Sequence, residues 1–279
     1  MKHHVLLFCL IGIALLQGCG DGEMVKYSYR KYGLNQPVKS FKTTVYEAES
    51  KFGEVVKGRC EGGVHVFDFN EKGFISGSTS YDCDGNPFSI FKFTYDEAGR
   101  CSRKSRYDGE GTEVSRNGYE YDGDHLIKET IWDDWGDVYE YEYEYKRGNL
   151  VESRLRGSDG GISVYKYSKH DKTGWEWTAY DENGDEFSRG EGLLDKKGLV
   201  VKSTVEDETF EVKRNDLGLP LTTRMVSWSY GAIDGFREAE YETYNYQYEY
   251  DEKGNWIKVT EFRDETKVPN CVVEREITY

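Results

Sequence analysis

Glu140, Glu142 and Glu144 alternate with Tyr139, Tyr141, Tyr143 and Tyr145, and this stretch is where side chains of one chemical type are most densely set for reaction. On an extended chain a period of two puts the carboxylates on one face and the rings on the other. Same-face neighbours on a strand lie about 7 Å apart, within the range for paired glycosidase carboxyls, so a polysaccharide-acting hydrolase is one reading. A chain with 52 acidic residues places such pairs throughout, and a solvated face explains them more simply. His65, His125 and His170 are scattered and match no ligand spacing. The sequence contains no Gly-x-Ser-x-Gly elbow and no phosphate-cradling loop. Asp82-Cys-Asp-Gly-Asn86 and Asp181-Glu-Asn-Gly-Asp185 share the composition of calcium loops but lack the spaced bidentate Glu. The expectation is no catalytic residue, no metal and no cofactor.

Aromatic side chains are the better candidates for binding. Trp132 and Trp135 flank an Asp-Asp turn, and Trp175 and Trp177 fall on one strand face. Trp228, Tyr230 and Phe236 lie in the stretch from Thr222 to Tyr241, where the spacing Gly218 to Gly254 is 36 residues against the 24 to 26 of a full repeat elsewhere. That stretch is expected to be an extended loop, and irregular insertions in repeat arrays often form the binding face. Exposed rings there could stack on sugars or bury a partner's side chain; packing against strand neighbours is the competing explanation for each.

The elements that must carry these residues are repeated. In Tyr248-Glu-Tyr-Asp-Glu-Lys-Gly-Asn-Trp-Ile-Lys-Val259, tyrosines at every second position mark a half-buried strand, Asp251 to Gly254 stops it, and Trp256-Ile257 begins another. Asp can accept a hydrogen bond from a backbone N–H two residues on, and Gly tolerates the positive φ of a tight turn. Related turns stand at Phe67–Gly73, Tyr95–Gly99, Tyr121–Asp124, Tyr145–Gly148, Leu194–Gly198 and Arg214–Gly218, with a second series at Tyr81–Gly85, Tyr107–Gly111, Trp132–Gly136 and Tyr180–Gly184. Each repeat is a hairpin.

The Tyr-Asp pair at a strand end, followed by Gly and an aliphatic pair such as Leu126-Ile127, Leu150-Val151 or Leu199-Val200, resembles the YD repeat of Rhs-type proteins. The whole stretch from Val25 to Tyr279 resembles the short YD-repeat lipoproteins of Gram-negative bacteria. The likeness implies architecture and is nearly silent on activity. Rhs proteins use many more repeats to wind a shell around a toxin, and this chain looks too short to enclose one.

The start of the chain has the pattern of an export signal. Lys2 supplies a positive n-region, Val5 to Leu16 is an apolar run too short to span a bilayer, and Leu16-Gln-Gly-Cys19 resembles a lipobox. The expected domains are a lipoprotein signal peptide over 1–18, a short acidic tether over 19–24 that begins at the lipidated Cys19, and a β domain over 25–279. Gly20 after the cysteine departs from the Asp-based inner-membrane retention signal, so the outer membrane is expected, in either leaflet.

Loss of residues 1–18 leaves 36 basic residues against 52 acidic, a charge near −16 that argues against nucleic acid. Disorder is excluded by 42 aromatic residues in register with the turns. Beyond Cys9 and Cys19, the residues Cys60, Cys83, Cys101 and Cys271 could form two disulfides in any of three pairings or remain thiols. Glu47-Ala-Glu-Ser-Lys51 could add a helical turn to a strand region, and Cys271 to Tyr279 is expected to close one end of the sheet. The fold expected is all-β, an antiparallel hairpin meander of roughly 16 to 20 strands coiled into a roll or an elongated barrel. The function expected is that of a lipid-anchored, non-catalytic binding or scaffold protein whose partner is a glycan or an envelope protein.

Overall fold

The computed structural model describes residues 28–206, 208–230, 237–263 and 268–279, with backbone alone at 227–230, 237–240 and 268. A 3-10 turn, Tyr29–Tyr32, precedes β1 (Ser40–Lys51), β2 (Glu54–Phe69), β3 (Ile75–Tyr81), β4 (Pro87–Tyr95), β5 (Cys101–Asp108) and β6 (Glu113–Asp122). There follow β7 (His125–Trp132), β8 (Val138–Lys146), β9 (Asn149–Arg156), β10 (Ile162–Asp171), β11 (Gly174–Tyr180) and β12 (Glu186–Leu194). The last six are β13 (Val200–Val205), β14 (Glu208–Arg214), β15 (Pro220–Tyr230), β16 (Arg237–Tyr250), β17 (Trp256–Arg263) and β18 (Val268–Thr278).

Each strand pairs antiparallel with its sequence neighbours, and β1 also pairs with β18 from Ser40↔Thr278 to Glu47↔Cys271. The meander therefore closes on itself as an 18-stranded barrel, which settles barrel over roll.

The repeated turns supply the curvature. At Asp82, Asp108, Asp133, Asp181, Asp195 and Asp251, and at Asn70 and Asn215, one side-chain oxygen accepts the N–H groups of the residues two and four further on. The glycine three after the acid takes positive φ, 88° at Gly85 and 75° at Gly254. A register shift adjoins these turns, at Thr94/Tyr95, Ser80/Tyr81, Ala179/Tyr180 and Glu249/Tyr250 among others. The tyrosine of the Tyr-Asp pair thus sits at a bulge, and bulges bend and twist a sheet as closure requires. Tyr95 Oη donates to the Ile75 carbonyl at 2.6 Å and Tyr121 Oη to the Cys101 carbonyl at 2.8 Å, so the ring of one hairpin satisfies the backbone of the hairpin before it.

Side-chain alternation divides the wall. Phe41 lies opposite Ile277 and Phe67, and Val259 lies opposite Val273 and Tyr248, on the face whose residues meet in the buried clusters. The other face carries ion pairs: Lys42–Glu276 at 2.9 Å, Lys128–Glu140 at 2.6 Å and Lys258–Glu249 at 2.7 Å. Apolar inside and charged outside inverts the polarity of a barrel that spans lipid. This wall is built for water.

One end is closed by residues 28–39, a strap that crosses the interior. Ser28 bridges to Phe74, and Tyr29 N donates to the Gly73 carbonyl. Asn35 N donates to Asn255 Oδ1 at 2.7 Å, and Asn35 Nδ2 to the Gly254 carbonyl at 2.6 Å. Tyr32 packs among Phe41, Phe67 and Phe69 with ring centroids 5.1 to 5.8 Å apart, and Leu34 and Val38 are buried. The Arg275 guanidinium, buried on β18, lies 3.4 Å from the Trp256 ring centre and donates to the Tyr32 carbonyl at 3.0 Å. A planar cation that stacks on a ring and holds a backbone oxygen ties the strap to the wall.

At the opposite, far end β1 and β2 run past their neighbours to pair Lys51↔Glu54, and a Cys60–Cys83 disulfide fastens this projection to the β3–β4 turn. Among the described residues one disulfide forms, and the Cys101 and Cys271 thiols lie outside it and are buried.

Two sequence expectations are corrected. The helical turn allowed at Glu47 to Lys51 does not form within the expected strand: Glu47 pairs with Cys271 on β18, and Ala48 to Lys51 pair with β2. Within the stretch expected as an extended loop, Thr222 to Tyr230 and Arg237 to Tyr241 are strand: β15 and β16 pair from Thr222↔Asn245 to Tyr230↔Arg237, and residues 231–236 lie outside the described ones.

Replacement of Arg275 by Ala removes the stack and the hydrogen bond together, and should lower stability by about 3 kcal/mol. Thermal melting should show this, with Met at 275 recovering part of the loss; an unchanged melting temperature would count against the strap as a structural member.

Candidate functional site

The inner face is not uniform. On β1, β16 and β17 it is dense, with Phe41, Val259, Tyr244 and Tyr246 at 5 % exposure or less. Along β8, β10 and β11 the inward rings of Tyr139, Tyr141, Tyr143, Tyr165, Tyr167, Trp175 and Trp177 are only half-buried. Register places them together: Tyr143 lies opposite Ser153, which lies opposite Tyr165, which lies opposite Ala179. Tyr141 and Tyr143 are nearly parallel with centroids 6.3 Å apart, and Tyr165 meets Trp177 edge-on at 5.6 Å. Burial pushes the Tyr141 hydroxyl pKa up.

Trp177 and Trp175 face Gly190 and Gly192 on β12, and their indoles lie over those glycines. A Cβ on Gly192 would overlap the Trp175 ring, and one on Gly190 would stand 2.7 Å from the Trp177 ring. The missing side chains let two large rings lie flush with the wall.

Polar groups punctuate this surface. Glu129 Oε1 accepts from Asn117 Nδ2 at 2.8 Å, and Glu129 Oε2 accepts from Tyr143 Oη at 3.4 Å. Ser153 Oγ and Tyr167 Oη are 3.3 Å apart. Rings beside small hydroxyls, one carboxylate and one amide can stack on and hydrogen-bond a ligand; they hold no arrangement suited to nucleophilic or acid–base chemistry.

Farther round the barrel, Glu261 on β17 is 1 % exposed. Asn270 Nδ2 donates to its Oε1 at 2.6 Å, and Tyr246 supports the carboxyl from β16. Burial pushes its pKa up to about 7, against those hydrogen bonds. His65, also buried, is held 2.9 Å from Ser80 Oγ and has its pKa lowered by burial.

The residues singled out from sequence are scattered. Trp132 lies on the outer face of β7 beneath the Arg116 guanidinium, 4.4 Å from the ring centre. Trp135 stands at the tip of the β7–β8 turn, 85 % exposed. Trp175 and Trp177 do share a strand face, and it is the inner one. Trp228 and Tyr230 lie on β15 in backbone register with Ala239 and Arg237. Phe236 and Cys19 fall outside the described residues. The outer carboxylates Glu140 and Glu144 are paired with Lys128 at 2.6 Å and Lys146 at 3.2 Å, and Glu142 lies in a shallow outer groove beside Arg154 and Arg156. The turn carboxylates of Asp82 and Asp181 are engaged by their own turns, and those hydrogen bonds lower both pKa values: that from Asn86 is the largest influence on Asp82, that from the Asp185 N–H on Asp181.

Sequence reasoning missed Glu129, Arg275 and Glu261. Arg275 and Glu261 sit in the apolar registers Val273-x-Arg275-x-Ile277 and Val259-x-Glu261, a signal that was present. Glu129 was hidden because the bulge near Ile127 shifts the parity of β7.

No family model and no curated protein matches the chain. Among solved structures it is similar to a porin-like protein from Bacteroides uniformis, at 10 % identity and a TM-score of 0.44 over 87 % of this chain and 98 % of that one. It is also similar to a chain of the TcdB2-TccC3-Cdc42 structure, at 14 % identity and a TM-score of 0.32, over 82 % of this chain but 11 % of that one. A DUF1329 family protein from Desulfovibrio piger follows at 9 % identity and a TM-score of 0.18, over 97 % of this chain and 92 % of that one. None is near enough to lend a function.

The raised pKa of Glu261 favours the folded state while the group is protonated in both states, below its ordinary value near 4.5, and this contribution is lost as pH rises towards 7. Glu261→Gln should therefore leave stability nearly unchanged at pH 4 and raise it at pH 8, by an amount on the order of 3 kcal/mol. Denaturant midpoints at the two pH values test this; a variant equally stable relative to the parent at both would show that the carboxyl titrates normally.

Proposed function

We propose that this chain is a YD-repeat-like lipoprotein of the bacterial envelope, anchored through Cys19 in the outer membrane, which binds a glycan or an envelope protein and performs no chemistry of its own. The observation that supports it most is the polarity of the barrel wall. Charged pairs such as Lys42–Glu276 and Lys128–Glu140 on the outside are incompatible with immersion in hydrocarbon. A membrane location then needs a tether, and a lipid on Cys19, the last residue of the lipobox-like Leu16-Gln-Gly-Cys19, would supply one.

The path of the chain fits that tether. Residue 28 enters at the strapped end, and nine residues reach at most about 30 Å, so an anchor at Cys19 would keep that end within this distance of the bilayer. Several acyl chains on one cysteine suffice for stable attachment where a single chain is marginal.

The hydrolase alternative has little support. Of the candidate carboxylates, Glu140 and Glu144 are engaged in ion pairs on the outer face, and Glu261 is sealed in the wall. Glu129, on the half-buried inner face, is occupied by Asn117 and Tyr143.

Substitution of Cys19 by Ser should move the protein from the membrane fraction to the soluble periplasmic fraction without change in its circular dichroism. Retention in the membrane at the parental level would defeat the anchoring proposal.

A further inference from the structure

Building on the proposed binding role, we propose that the ligand is an uncharged linear saccharide, which enters the barrel from the far end and lies along the aromatic inner wall of β8, β10 and β11. The strapped end is shut by Tyr32, Leu34 and the Arg275–Trp256 stack, so entry there would require unpacking the core. At the far end the described turns 82–86, 133–137 and 181–185 each close on themselves through the leading Asp and join adjacent strands without crossing the opening.

The wall retains accessible ring surface where a filled core would not. Tyr141, Tyr165 and Trp177 are half-buried, whereas Tyr244 and Tyr246 on the inner face of β16 are 5 % and 4 % exposed. Gly190 and Gly192 let the two indoles lie against the backbone of β12, which a side chain at either position would prevent. The near-parallel Tyr141 and Tyr143 rings form a repeating platform, which suits a polymer of flat units.

The chemistry of the lining selects the class. A pyranose offers an apolar C–H face to a ring and hydroxyls to a carboxylate or amide, and Glu129 and Asn117, hydrogen-bonded to each other beside the tyrosines, keep further lone pairs and an N–H for such hydroxyls. A net charge of −15 disfavours anionic polymers. Lys104, over the inward Phe91 ring at 4.8 Å, disfavours a cationic ligand on the same face.

The test uses the lipidated protein in detergent, titrated calorimetrically with chitohexaose, cellohexaose and maltohexaose, with tryptophan fluorescence as a second signal. At least one of the three should bind and shift the emission. Tyr141→Ala and Tyr165→Ala should each weaken binding tenfold or more, and Tyr165→Phe, which keeps the ring, should restore most of it. Val138→Ser, on the outer face next to Tyr139, should bind as the parent does. Melting curves identify any variant that has lost its fold, and the Phe variant then carries the comparison. Failure of all three sugars overturns the proposal, as does loss of binding in Trp135→Ala with Tyr141→Ala unaffected. Specific crosslinking of the outer wall to an envelope protein, with no sugar bound, would also overturn it while leaving the broader binding role intact; membrane retention of Cys19→Ser bears on the anchor alone.

Discussion

Everything in this molecule depends on the ladder between the first strand and the last. Ser40 to Glu47 pair with Thr278 to Cys271, and that seam converts a long meander into a ring with no free edge. Once the ring is closed, alternation has only one solution. A slip of one residue would turn Phe41 outwards and Lys42 inwards, and the same exchange would propagate to every partner in register. The cost of that inversion is what specifies the fold.

Closure in turn depends on turn chemistry. An Asp or Asn oxygen that captures two backbone N–H groups fixes the turn, and the bulge beside it bends the strand. The Tyr-Asp repeat is thus a bending device as much as a packing motif. Its hydroxyl then links hairpin to hairpin, as Tyr95 to Ile75 and Tyr121 to Cys101 show, so that curvature and core are specified by the same residues. Where the bent sheet meets at one end, the strap fills the remaining volume and Arg275 supplies the polar bond that an apolar plug could not.

Much of this was legible in the amino-acid order. Period-two tyrosines and the glycine punctuation give the strands and the hairpins, and the even face division of β8 follows from Tyr139 to Tyr145 without further information. Closure was not legible, because it joins residues more than 200 positions apart with no local signature. The long β15–β16 hairpin reads as a loop from sequence because the spacing Gly218 to Gly254 exceeds a full repeat, whereas backbone pairing carries both strands as far as Tyr230↔Arg237. Of the aromatic candidates, Trp175 and Trp177 were rightly placed on one face, but whether a face looks in or out is a property of the closed ring and cannot be read from one strand. The partner glycines Gly190 and Gly192 were the missed clue: small residues two apart opposite two tryptophans two apart mark rings laid across a bare backbone.

The single disulfide has a consequence for biogenesis. Among Cys60, Cys83, Cys101 and Cys271, the bonded pair is the first two met from the N-terminal side. Oxidation that joined neighbouring thiols among these four, starting from that side, would reach the native pair directly. The later two sulfurs are shielded as soon as the sheet curls around them. For a chain oxidised from that side, the order of these four cysteines would already favour the native partner.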